Sequence, residues 1–169
     1  MNSVFILLNS LNDWKPYCET DSLMTVTDYL TPTTLSLAEI GKQPEVLKTM
    51  PAFFDASDKV IEQHFATSKD GTKVPYFLVR PKDLKFDGKA PTLLYGYGGF
   101  QSSLLPGYSP TVGKLWLERG GVYVIANTRG GGEFGPRWHE AGLKQNRQRV
   151  YDDFEGVAED LIAKGITTN

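Results

Sequence analysis

The sequence predicts an α/β fold, on three observations. Thr92–Tyr95 and Val122–Ala126 are short apolar runs of strand length, the second β-branched and bounded by glycines. Between them Val112–Arg119 has a helical pattern, so strand, helix and strand follow within ~35 residues, the span of a right-handed βαβ unit. Near the end, Phe154, Val157, Ala158, Leu161 and Ile162 recur at the spacing of one helix face.

Taken in order, residues 1–50 read as short β pieces broken by turns, too few to bury a core alone. Thr25–Leu30 and Thr33–Leu37 alternate and are β-branched, with Pro32 between them. Asn12–Pro16 and Glu39–Gln43 are turn clusters, and Pro44-Glu-Val-Leu follows the second. Pro51–Asp58 reads as a connector. Val60–Thr67 and Val74–Arg80 then flank Asp70-Gly71, a dipeptide that tolerates the positive φ of a hairpin turn. Pro75 places the second strand beside an edge or at its first pairs.

Lys82–Ala90 is a polar loop into the strand at 91–97, which is short and apolar enough to be buried and on which Tyr95 is expected to pack into the sheet. Val112, Leu115, Trp116 and Leu117 supply the apolar face of the next helix, and Gly120-Gly121 stops it. In the last helix Asp152, Asp153 and Glu155 suit the positive N-terminal end, Lys164 the other, and Gly165 the stop. The alternation then predicts another strand from Ile166.

Bulk properties narrow the function. With 169 residues there is one domain or pieces of two, and 40% hydrophobic content suits a packed protein. A net charge of −2 gives no footprint for nucleic acid or an anionic membrane. The single cysteine, Cys18, leaves no internal disulfide and reads as a small buried apolar residue. No apolar run approaches the ~18 residues of a membrane span, and the apolar start lacks the basic flank of a secretory signal, so a cytoplasmic location is expected.

Chemistry concentrates after the two strands. Gly96-Tyr-Gly-Gly-Phe100 ends the first in glycines interleaved with aromatics, where open α/β sheets place ligands and where α/β-hydrolases build part of an oxyanion hole. Gly130-Gly-Gly-Glu-Phe-Gly135 satisfies G-x-G-x-x-G after a strand, which would suit NAD or a similar dinucleotide. The ribose-binding acid belongs at the end of a following strand, however, and Asp152 and Asp153 sit at a helix start, so a structural turn is the better reading. His64 lies mid-strand and reads as packed or solvent-facing, and His139 as bound to a backbone group. Neither has metal-spaced partners, so neither a metal nor a cofactor is expected. No G-x-S-x-G occurs, and Ser109 in Gly-Tyr-Ser-Pro is not one.

Four separated stretches together resemble the prolyl oligopeptidase family of serine peptidases. They are Ser68-Lys-Asp-Gly-Thr-Lys-Val-Pro-Tyr-Phe77, Leu94-Tyr-Gly-Tyr-Gly-Gly-Phe100, Ala126-Asn-Thr-Arg-Gly-Gly-Gly-Glu-Phe-Gly135 with Trp138-His139, and Asp152-Asp-Phe154. The resemblance implies that 51–169 are the N-terminal half of an α/β-hydrolase peptidase domain. It further implies that 1–50, with Asp28-Tyr-Leu-Thr-Pro32, are the end of a β-propeller and its connector. The implied activity is cleavage of short proline-containing peptides after proline, with no nucleic acid or membrane partner. Oligopeptidase B, a relative preferring basic residues, is the alternative, and Gly98-Gly-Phe100 favours the proline branch. By resemblance Tyr97 donates to the oxyanion, Phe100 lines the pocket for the proline ring, and Gly98 and Gly99 shape the turn. The family's Ser-Asp-His triad has no counterpart here, so the isolated chain is expected to be a fragment inactive alone.

Overall fold

The computed structural model of the protein describes residues 5–10 and 21–168, and forms two four-stranded sheets with helices on the second. The expected turn at Asn12–Pro16 and the packing of Cys18 lie outside the described residues. The first sheet is an antiparallel meander of β1 (Phe5–Ser10), β2 (Asp21–Thr27), β3 (Thr34–Glu39) and β4 (Glu45–Thr49). β2 stops at Thr27, short of the expected Leu30. The Asp28 carboxylate accepts from the backbone N–H of Leu30 at 2.7 Å and of Thr31 at 2.6 Å, turning the chain there.

The second sheet runs in the order β5 (Lys59–Thr67), β6 (Lys73–Pro81), β8 (Val122–Ala126), β7 (Thr92–Gly96). β5 and β6 form the expected antiparallel hairpin, and the Gly71 N–H donates to Ser68 O at 2.9 Å in its turn. Pro75 pairs with Phe65 one step before the β6–β8 ladder begins at Tyr76–Ala126. Its carbonyl accepts from Asn127, so its missing N–H points past the end of β8, where no ladder bond is lost. Gly71 has φ +85, and a Cβ there would meet no atom within 4 Å. Gly71→Ala is therefore expected to cost about 1 kcal/mol through the left-handed backbone alone, measured by denaturant unfolding.

β7 and β8 are parallel, as a βαβ unit requires. The crossover is α1 (Pro110–Leu115), then a 3₁₀ turn at Leu117–Arg119 closed by Gly120 at φ 82. The switch to 3₁₀ rotates the apolar face: Leu117 is buried and Leu115, expected in the core, is exposed. α3 (Gln148–Ala163) begins a turn earlier than the acidic residues suggested, which moves Asp153 off the helix end and into the core. A short α2 (Pro136–Glu140) precedes it.

The two helices cover opposite faces of the sheet. Tyr76 and Leu78 of β6 pack with Val157 and Leu161 of α3, while Phe77 and Val79 pack with Leu117 of the crossover and Phe54 of the connector. Alternate residues of β6 thus serve two cores, which explains its unbroken apolar run. Tyr29 of the Asp28 turn lies 5.6 Å from the Phe77 ring and joins the first sheet's end to the second core.

Two expectations fail here. From Ile166 to Thr168 there is no strand: Gly165 turns the chain at φ +70 and Ile166 sinks into the α3-side core, its carbonyl accepting from Ala90 at 3.1 Å. β7 is not buried, nor is Tyr95 packed into the sheet. β7 is an edge among the described strands, and Leu93 and Tyr95 stand 43% and 48% exposed on one face. Among the described residues no helix is long and apolar enough to cross a membrane.

Candidate active site

The loop after β7 stands at the carboxyl end of the parallel pair, between the βαβ crossover and α3. Tyr97 is half exposed and Phe100 almost fully exposed, and their rings lie 6.5 Å apart at 20°. The structure thus brings together the two aromatic residues singled out in the sequence. Gly98 and Gly99 are both buried beneath them.

Only one of these glycines is compelled. Gly98 has φ +59, and a Cβ on it would sit 2.4 Å from both Thr128 Oγ1 and Val150 Cγ1. At Gly99 a Cβ would come no nearer than 3.4 Å to the Tyr97 ring. Phe100 and Gln101 also take positive φ, at 52 and 55, a conformation that side chains disfavour and that surrounding structure must enforce.

That enforcement comes from the loop after β8. Gly130 presses against the Gly98 carbonyl so closely that a Cβ would lie 2.3 Å from its oxygen, and a Cβ on Gly132 would lie 2.2 Å from Gln101 O. The Gln101 N–H donates to Gly130 O at 3.2 Å. His139 Nδ1 is 2.6 Å from the same oxygen and 3.1 Å from the Gln101 nitrogen, which fulfils the expected backbone role. Gly130 and Gly132, two glycines of the G-x-G-x-x-G pattern, are thus covered by neighbouring backbone rather than left open to a phosphate. The dinucleotide alternative fails on that geometry. His64 hydrogen-bonds Glu62 at 3.1 Å and stacks on Tyr76. Among the described residues no cluster of His, Cys, Asp or Glu is placed to hold a metal ion.

Beneath the site lies a buried ionic knot. Arg129 Nε and Nη2 donate to the Asp153 carboxylate at 2.9 and 2.6 Å, its backbone N–H adds a third bond at 2.9 Å, and Nη1 reaches Asp70 at 2.5 Å. The side chains of Arg129 and Asp153 are 4% and 0% exposed. Burial alone would lower the Arg129 pKa, but its bonds to Asp153 and Asp70 raise it, and Arg129 in turn holds the Asp70 carboxyl far below the ordinary range. The knot ties the hairpin turn, the Gly130 loop and α3 into one support.

Sequence reasoning passed over Arg147. It occupies the N-cap of α3, and its Nη1 donates to Gly98 O at 2.5 Å. A faint signal was available, since a cation at the positive end of a helix is unfavourable and needs another reason to be there. Arg147 borders two cavities that share Tyr97. One, about 510 Å³, is lined by Tyr97, Phe100, His139 and Leu143. The other, about 300 Å³, lies against Thr128, Val150 and Phe154.

Comparison with known proteins gives this arrangement a context. Residues 107–169 match the prolyl oligopeptidase family. The chain is 59% identical over 152 residues to an uncharacterised peptidase of Sinorhizobium fredii, covering 89% of this chain and 21% of that protein. It is 43% identical over 151 residues to a prolyl endopeptidase of Elizabethkingia miricola, again across 89% of this chain and 21% of the relative. A solved post-proline cleaving enzyme from Rickettsia typhi superposes with a TM-score of 0.84 at 40% identity, covering 98% of this chain and 23% of the other. The chain therefore spans about a fifth of the length of the curated relatives it matches. Sequence and fold agree along nearly its whole described length with those of proteins named as prolyl endopeptidases or post-proline cleaving enzymes, and residues 107–169 carry the match to the prolyl oligopeptidase family.

Proposed function

We infer that this segment serves a cytoplasmic serine endopeptidase that cleaves short peptides after proline. Residues 51–169 supply the N-terminal half of its α/β-hydrolase domain, and 1–50 the end of a β-propeller and connector. The observation that carries this reading is the locked loop at the end of β7, which presents Tyr97 and Phe100 side by side at the strand's carboxyl end. Tyr97 donates its phenolic hydrogen to the oxyanion formed when a serine attacks the peptide carbonyl. Phe100 offers its ring face to the proline. Gly98 and Gly99 let the chain turn between them. The serine, with its aspartate and histidine, comes from other parts of a family-length peptidase, because no G-x-S-x-G lies within these residues.

A preference for basic residues is the weaker reading. The cavity under Phe100 carries Arg147 and His139 and no carboxylate among its lining residues, a poor setting for a cationic side chain. The family-length peptidase should hydrolyse a chromogenic peptide with proline before the scissile bond far faster than its arginine counterpart. In it Phe100→Ala should raise KM for the proline peptide about tenfold with kcat nearly kept, since apolar contact is lost equally from ground and transition states. Equal or better turnover of the arginine peptide would reverse the assignment.

A further inference from the structure

The loop bearing Tyr97 and Phe100 holds a costly shape, with three of its four successive backbone positions from Gly98 to Gln101 at positive φ: 59 at Gly98, 52 at Phe100 and 55 at Gln101. Two side chains reach it from elements later in the chain. His139 acts at its far end, through Gly130 O and the Gln101 N–H. Arg147 acts at its near end, on the carbonyl of Gly98, immediately after Tyr97.

We propose that Arg147 is a positioning residue for the proposed reaction: by fixing the Gly98 carbonyl it sets the Tyr97 hydroxyl and the Phe100 ring together. This rests on the oxyanion reading of Tyr97. Three features separate Arg147 from an ordinary surface arginine. Its side chain makes no capping bond on α3, the helix it starts. It forms no ion pair with a carboxylate among the described residues, and its guanidinium lies instead over the Tyr151 ring at 5.5 Å. The carbonyl it binds belongs to the one glycine in the turn packed too closely to accept a side chain, where a Cβ would clash with Thr128, Val150 and Arg129 O. A peptide unit clamped on one side by packing and on the other by a charge-assisted bond has one orientation, and the flanking Tyr97 inherits it.

Loss of the clamp has a distinctive kinetic form. Removing the phenol hydroxyl touches kcat alone, and removing the Phe100 ring touches KM alone. Releasing the turn that carries both should disturb both constants. A purely structural loss lowers the active fraction and leaves KM unchanged.

The test compares Arg147→Ala, Arg147→Lys, Tyr97→Phe and the Arg147→Ala/Tyr97→Phe double variant in the family-length peptidase, on one proline-containing chromogenic peptide. Each variant's melting temperature and active-site titre are measured alongside. Arg147→Ala should lower kcat about tenfold and raise KM several-fold per titrated site, and Arg147→Lys should recover most of both, since a single donor reaches one carbonyl. In the Tyr97→Phe background the further kcat loss from Arg147→Ala should vanish, because there is no hydroxyl left to misplace. If Tyr97→Phe is impaired and Arg147→Ala has wild-type constants, the positioning role is wrong and the oxyanion reading stands. Fully additive kcat losses would likewise overturn the positioning role. If Tyr97→Phe is itself unimpaired, the oxyanion reading falls and Arg147 falls with it.

Discussion

Tyr97→Phe is expected to lower kcat of the family-length peptidase by roughly 10²–10³-fold while KM stays nearly constant. The reasoning starts from where the charge appears. A peptide carbonyl is a modest acceptor in the bound substrate and becomes an oxyanion only as the serine adds. A donor already aimed at that oxygen gains strength in the transition state without reorganising. Under the proposed oxyanion role, Tyr97 would act in this way because its turn is fixed by Gly98, Gly130 and the residues packed on them. Tyr95→Phe is the natural control. That side chain lies two residues back on β7, exposed on the sheet face and outside both cavities that Tyr97 borders, and its loss should leave kcat within about twofold. Steady-state rates for the two variants decide the matter. A Tyr97→Phe enzyme with wild-type kcat would remove the catalytic role assigned to this chain.

The second large effect concerns stability. Asp153→Ala should destabilise the chain by about 3–5 kcal/mol, because it strands the Arg129 guanidinium in the interior. For a chain of this length that corresponds to a melting temperature roughly 10 °C lower, read by thermal unfolding. Replacing both partners with apolar residues, Arg129→Met with Asp153→Leu, should cost much less than the single change, since no buried charge is left alone. Asp70→Asn should cost little, because Asp70 is 41% exposed and water screens its share of the knot. Its titration still has a sign. The Arg129 bond lowers the folded-state pKa of Asp70 below the ordinary 3.8, so its contribution is complete above that value. It is lost progressively as pH falls through the folded pKa, and Asp70→Asn should flatten that part of the acid unfolding curve.

What could be read from the sequence was what is local. The Asp70-Gly71 hairpin, the βαβ unit and the Gly165 stop of α3 each depend on neighbours a few residues away, and all three are present. What escaped reading was set by partners distant in the chain. Asp153 looked like a helix-end acid, and nothing near it announces a guanidinium 24 residues earlier. The exposure of Leu93 and Tyr95 depends on which strand is an edge, and an apolar run looks the same in either place. Gly98 and Gly99 read alike, and only Thr128 and Val150 distinguish them. Leu115 left the expected apolar face, while Leu117 kept it, because the helix tightens into a 3₁₀ turn between them.

The Tyr97 turn rests on Gly130, His139, Arg147 and Val150, all of which follow it in the chain. A ribosome delivers the N-terminus first. Tyr97 and Phe100 therefore emerge about fifty residues ahead of Val150, an interval of several seconds at ordinary rates of synthesis. The β5–β6 hairpin needs no later residue and can close in microseconds. The order of assembly is then fixed by topology: hairpin scaffold early, the Tyr97–Phe100 turn late. Until the loop after β8 is in place, nothing holds Phe100 and Gln101 at positive φ, and a nascent chain stalled before Gly130 carries these two aromatic rings in a relaxed backbone.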